Sequence, residues 1–142
     1  MKLSRENKVR LYDFLCDYEN HLIGLYGTFI KINDGAISKF EERNSVLIGT
    51  LCPTNIKKRN QYKYYILFDN SKPSACKTIP NDASCNLLRH IRNSIAHGNI
   101  SATSKAVFEL KDYDKNKKES MIGKIKADLL FQVIEIICNT HK

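Results

Sequence analysis

No stretch of this chain is apolar for long enough to cross a bilayer. The longest run, Asp128 to Cys138, is interrupted by Gln132 and Glu135 and stops well short of the roughly 20 residues that a span requires. The opening residues, Met1-Lys2-Leu3-Ser4-Arg5-Glu6, lack the apolar core of a signal peptide. Both absences point to a cytoplasmic protein away from the membrane. Cys16, Cys52, Cys76, Cys85 and Cys138 form an odd set with no C-x-x-C pair, which points to reduced thiols rather than a disulfide framework. The four His residues make no H-E-x-x-H or similar cluster, so neither a structural metal nor a cofactor is expected. Internal repeats and low-complexity segments are missing as well.

What is present is an ordinary globular composition, 42% hydrophobic and 27% charged. Over 142 residues this suits one domain, 1–142, with a real core and is too little for two comfortable ones. The charge is not balanced. The 23 Lys and Arg against 15 Asp and Glu leave a net +8, which favours a polyanionic partner such as nucleic acid or an anionic surface without choosing between them.

The apolar periodicity predicts a mainly α protein. Ser4 is placed to cap a long helix through about Ile32, because Val9, Leu11, Tyr12, Leu15, Cys16, Leu22, Ile23, Tyr26 and Phe29 recur at three- and four-residue spacings. Asn33-Asp34-Gly35 ends it. A second helix is expected from Ala36 to about Leu51, stopped by Cys52-Pro53, and the two should form an antiparallel hairpin. Tyr62 to Phe68 suits a strand by composition and equally the end of a helix begun near Asn55; helix is the reading taken. Asp69 to Asp82, with two prolines, reads as a loop. Asp82 or Ser84 then caps a helix running to about His97, where Gly98 stands at a position that wants a left-handed residue. Ala106 to Tyr113 and Glu119 to Ile122, joined by Asp114-Lys115-Asn116-Lys117, suggest a short β-hairpin. A final helix from near Gly123 to about Cys138 should bury Ile125, Leu129, Leu130, Val133, Ile134 and Ile137.

The helix ending at His97 carries the chemistry. Leu87, Leu88, Ile91 and Ile95 fall within about 100° and define its core face. Around the other side lie Arg92, Arg89, Asn93, His97 and His90, with Ala96 as a small residue between the two arginines. Arg92 and His97 point about 140° apart, a gap that a long arginine can narrow by swinging round Ala96, and Asn93 lies about 40° from His97. No Asp or Glu occurs between Asp82 and Glu109, so the clustered carboxylates that hold magnesium for phosphodiester cleavage are missing locally. Such a face can support transesterification, in which a substrate's own 2′-OH attacks phosphorus, His97 moves a proton and Arg92 stabilises the phosphoryl oxygens. That route implies RNA, since DNA lacks the nucleophile. The alternative is that Arg and His at the end of a basic helix only complement its dipole and cap its carbonyls.

Arg92-Asn93-Ser94-Ile95-Ala96-His97 resembles the R-x4-6-H motif of the HEPN superfamily, including the polar residue after the arginine. From about Leu87 to Ile137 the chain is similar to small prokaryotic HEPN proteins of mobile elements and defence loci. The resemblance implies an α-helical bundle, with a short hairpin before its last helix. It further implies a two-fold homodimer whose motif helices meet to form a composite cleft for metal-independent endoribonuclease activity, leaving a 2′,3′-cyclic phosphate. On that basis Arg92 and His97 are carried over as catalytic, with Asn93 in support, in a toxin or defence effector that would have an antitoxin. Arg89 and His90 have no place in the motif and are either phosphate contacts or solvated surface. Lys57, Lys58 and Arg59, like Lys115-Asn116-Lys117-Lys118, could track an RNA backbone or simply be solvated. Tyr62, Tyr64 and Tyr65 could stack bases or pack in the core. Two other readings stand beside the ribonuclease: a non-catalytic HEPN module binding RNA, a nucleotide or a protein, and a partner of a nucleotidyltransferase.

Overall fold

In the computed structural model, which describes residues 2–19, 37–71, 83–104 and 106–138, the first helix, α1 (Arg5–Asp17), begins where its cap predicts. The Ser4 hydroxyl accepts the Asn7 N–H at 3.1 Å, and Leu11, Phe14 and then Tyr18 turn inward. Tyr18 and Glu19 extend α1 as a wider turn; the expected continuation to Ile32 lies outside the described residues.

The second helix is much shorter than expected. Helix α2 (Ser38–Asn44) stops at Ser45, which adopts a left-handed conformation with φ 54°. Val46-Leu47-Ile48, aliphatic and buried or half-buried, then forms strand β1 (Val46–Thr50) rather than the rest of a helical hairpin. Pro53 sits at the start of α3 (Pro53–Lys58), where its missing N–H costs nothing, and a short 3-10 turn follows over Arg59–Gln61. Tyr64–Phe68, read as helix, is strand β2. The motif helix α4 (Ala83–Ala96) leads to β3 (Ile100–Ser104). The expected hairpin is present as β4 (Val107–Tyr113) and β5 (Glu119–Lys126), and α5 spans Ala127–Cys138. Gly123 to Lys126, assigned to the last helix from sequence, belong to β5, where Met121, Gly123 and Ile125 alternate inward.

The strands form one five-stranded mixed sheet in the order β1-β2-β5-β4-β3. Only β1 and β2 are parallel, with α3 supplying their crossover; the other pairs are antiparallel. The chain is therefore an α/β fold, which overturns the expectation of a mainly helical bundle. Ile48, Ile66, Gly123, Leu110 and Ile100 are register partners in one row across the whole sheet. They face a single apolar cluster shared with Leu11 and Phe14 of α1, Leu87, Leu88 and Ile91 of α4, and Leu130, Val133 and Ile137 of α5. Each fully buried aliphatic side chain there contributes about 1.5–3 kcal/mol. On the other face Leu47 and Leu67 are buried, and Asn55 of α3 lies 3.1 Å from where a Cβ on Gly49 would stand.

Cys16, Cys52, Cys85 and Cys138 are free thiols, while Cys76 lies outside the described residues. Burial pushes the Cys138 thiol up to about 11, which leaves it a small apolar filler at neutral pH. No helix among the described residues is long and apolar enough to cross a membrane.

Gly98 terminates α4 at φ 73°. Its N–H bonds the Ile95 carbonyl at 3.1 Å and the Asn99 N–H bonds that of Ser94 at 2.7 Å, the paired bonds of a Schellman ending. A Cβ on Gly98 would meet nothing within 4 Å, so Gly98→Ala tests the backbone alone. The expected loss is about 1–2 kcal/mol, read as a lower urea midpoint; an unchanged midpoint would refute the left-handed turn.

Candidate functional site

Leu87, Leu88 and Ile91 face the core as the periodicity requires, with Ile95 half-buried behind them. The polar side of α4 is not a solvated surface. His90 is 2% exposed and Arg89 8%, which corrects the reading of both as solvent-facing. The reason is that the chain leaving β2, Asp69-Asn70-Ser71, runs beside α4. Asn86 Nδ2 donates to Asn70 Oδ1 at 3.1 Å and Arg89 Nη2 to the Ser71 carbonyl at 3.1 Å, while His90 Nε2 lies 2.8 Å from the Asp69 carbonyl. Arg89 and His90 thus hold main chain that would otherwise carry unsatisfied carbonyls.

The other nitrogen of His90, Nδ1, lies 2.8 Å from Asp112 Oδ2. Both ring nitrogens lie against oxygens, and Nε2 is also 3.2 Å from Arg89 Nη2. Asp112 comes from β4, on the core face beyond Phe108 and Leu110, and is 2% exposed. Burial works to raise its carboxyl. The hydrogen bond and charge of His90, the Asn93 amide and the Tyr113 N–H outweigh that and hold it below the usual carboxylate range.

From Asp112 the network continues outward. Asn93 Nδ2 donates to Asp112 Oδ2 at 3.3 Å, and Arg92 Nη1 donates to Asn93 Oδ1 at 3.2 Å. Arg92 Nε donates to Glu19 Oε1 at 2.6 Å, with the two side chains 32% and 47% exposed. One connected path therefore links Glu19 of the α1 extension, Arg92 and Asn93 of α4, Asp112 of β4 and His90. Its solvent-facing end is the Glu19–Arg92 pair, with Glu19 the more exposed, and its buried base is the His90–Asp112 pair.

His97 sits on the last turn of α4 beyond this network. It is exposed, and its imidazole makes no hydrogen bond among the described residues; only its main-chain N–H is used, to the Asn93 carbonyl at 3.0 Å. Helix geometry set Asn93 about 40° from His97, yet the structure turns its amide to Arg92 and Asp112 and leaves the His97 imidazole without a partner among the described residues. Lys57, Lys58 and Arg59 are elsewhere. Lys57 and Lys58 are exposed on α3, and Arg59 lies 4.9 Å over the ring of Tyr65, whose side chain points away from the face that α4 covers. Lys115 to Lys118 form the exposed β4–β5 turn, with Asp114 Oδ1 accepting the N–H groups of Asn116 and Lys118.

Sequence reasoning missed Asp112 and Glu19, and its carboxylate-free face exists only along the chain. A signal for Asp112 was available. Phe108, Leu110 and Asp112 occupy alternate positions of one strand, so an acid stands where a core residue is due. Glu19 carries no such signal. Among the described residues no three His, Cys, Asp or Glu side chains converge as metal ligands do.

Fold and site together define a small α/β domain whose motif helix lies on a mixed sheet and presents an Arg-Asn pair and a terminal His to solvent. A family model described as HEPN pEK499 p136 matches residues 6–140, and the chain belongs to this HEPN family. No curated protein and no solved structure matches it.

Proposed function

We propose that the protein is a metal-independent endoribonuclease of the toxin or defence type. HEPN membership supports the class, and the observation that carries the reading is the exposed end of α4. There a guanidinium anchored by an amide and an unencumbered imidazole stand within two turns of one helix. In this reading His97 takes or returns the proton of the 2′-OH attack and Arg92 stabilises charge on the phosphoryl oxygens. Asn93 steadies Arg92. A two-fold dimer would supply a second Arg92 and His97 to one cleft, easing the angle between them. Purified protein is expected to cleave RNA in the presence of EDTA, and Arg92→Ala and His97→Ala are each expected to abolish this. Undiminished cleavage by both variants would overturn the assignment.

One observation favours a second reading, a module that binds RNA without cutting it. Arg92 already has Glu19 on Nε and Asn93 on Nη1, so part of its fork is occupied. Salt-sensitive binding with intact RNA would decide for that reading. Either way Glu19 competes with phosphate for Arg92. An exposed ion pair is worth about 0.2–1 kcal/mol, so Glu19→Gln should tighten RNA binding by about 1.4- to 5-fold. An unchanged or weaker affinity would show that Glu19 does not oppose the ligand.

A further inference from the structure

The buried pair beneath the motif helix has a shape that packing alone does not require. An asparagine amide can present either end to a neighbour, and its orientation is set by what surrounds it. Here the two neighbours have opposite and unambiguous chemistry. An ionised Asp112 only accepts hydrogen bonds and Arg92 only donates them. Asn93 stands between, with Nδ2 3.3 Å from Asp112 Oδ2 and Oδ1 3.2 Å from Arg92 Nη1. Turning the amide over would set its NH2 against the guanidinium and its oxygen against the carboxylate, losing both bonds and adding two repulsions.

We propose that Asp112, backed by His90, is the positioning residue of the site. By accepting from Asn93 Nδ2 it locks the amide with its oxygen toward Arg92, and so aims the guanidinium. This rests on the reading of Arg92 as the phosphate-contacting residue. His90 serves the same end one step back: with Nδ1 2.8 Å from Asp112 Oδ2 and Nε2 held between the Asp69 carbonyl and Arg89 Nη2, it fixes the carboxylate in register with Asn93. The two buried groups, each 2% exposed, touch no ligand themselves. They explain the use of an Asn after the arginine: its short amide meets the Asp112 acceptor with one end and the Arg92 donor with the other.

The test is a double-mutant cycle on the full chain with Asp112→Asn and Asn93→Ala, read both as the cleavage rate of an RNA oligonucleotide and as its dissociation constant. Asp112→Asn keeps size and loses the acceptor-only character. It is expected to lower kcat on the order of ten-fold with KM little changed, and to have no further effect once Asn93 is alanine. A merely structural role would instead give a loss that adds to that of Asn93→Ala. An additive loss, or full activity in Asp112→Asn, overturns the proposal. Should Asp112→Asn fail to fold, the cycle is run with His90→Gln, where a smaller loss that again vanishes in the Asn93→Ala background is expected, and an additive one overturns it. Absence of cleavage by the unmodified protein would sink the nuclease reading alone. The cycle would then be decided on RNA affinity, with the same vanishing effect expected and Arg92→Ala as the reference for complete loss.

Discussion

Replacing His97 by alanine is expected to lower RNA cleavage by about 10²–10⁴-fold, the usual contribution of a positioned general acid or base. Stability should scarcely change, because the imidazole is exposed and bonded to nothing among the described residues. Surface changes of that kind stay within about 0.5 kcal/mol, a Tm shift of about 1–2 °C for a chain of this size. The separation of the two effects is what makes the variant informative. Arg92→Ala cannot be separated so cleanly, since it also releases Glu19 and Asn93. Arg92→Lys keeps the charge and gives up the planar fork, so it should fall between wild type and Arg92→Ala. Wild-type cleavage by His97→Ala would remove the imidazole from the mechanism, and a large drop in Tm would mean that His97 packs against structure.

The ends of elements were more legible in the sequence than their kind. Ser4 as a cap and Gly98 as a left-handed stop are local choices made by single residues, and both stand where they were read. So does the β4–β5 hairpin, whose alternation and turn residues act over short distances. The misassigned segments are those where a short apolar run fits either period. Val46–Thr50 and Tyr64–Phe68 are five residues each, too short to separate a period of 2 from one of 3.6. What decides them is pairing: β2 lies between β1 and β5, with partners some 18 and about 55 residues away that no local window contains. Gly123 was taken as a helix start, yet it is paired in the middle of the sheet, between Ile66 of β2 and Leu110 of β4.

The same limit applies to the site. Arg92, Asn93 and His97 are neighbours along one helix, and their proximity follows from 1.5 Å of rise per residue. Asp112 and Glu19 reach them from β4 and from the end of α1, and their approach depends on the whole fold. Arg89 and His90 were misread for a related reason. A basic helix face looks solvated until the chain leaving β2 is laid along it.

The largest expected effect on stability follows from that burial. His90→Ala would leave the Asp112 carboxylate 2% exposed and without its ion partner, at a cost of about 3–5 kcal/mol near neutral pH. The sign of the pH dependence distinguishes this from simple loss of volume. In the unmodified protein Asp112 is held below its ordinary value, so its contribution is present above about pH 4 and fades as the pH falls through the still lower folded value. Without His90 the desolvation that works to raise the carboxyl is opposed only by Asn93 and the Tyr113 N–H. The gap in urea midpoint between the two proteins should then be widest at pH 7 and narrow toward pH 4. A gap that does not change with pH would mean that a cavity, not a stranded charge, is responsible. The double variant His90→Leu with Asp112→Leu gives the complementary result. Removing both charges together leaves neither stranded, so part of the stability is expected to return, the rest being lost with the partners of the Asp69 carbonyl, the Asn93 amide and the Tyr113 N–H. It restores nothing that orients Asn93, so a stable protein with weakened use of Arg92 would show that the pair is kept for the site it aims rather than for the fold it sits in.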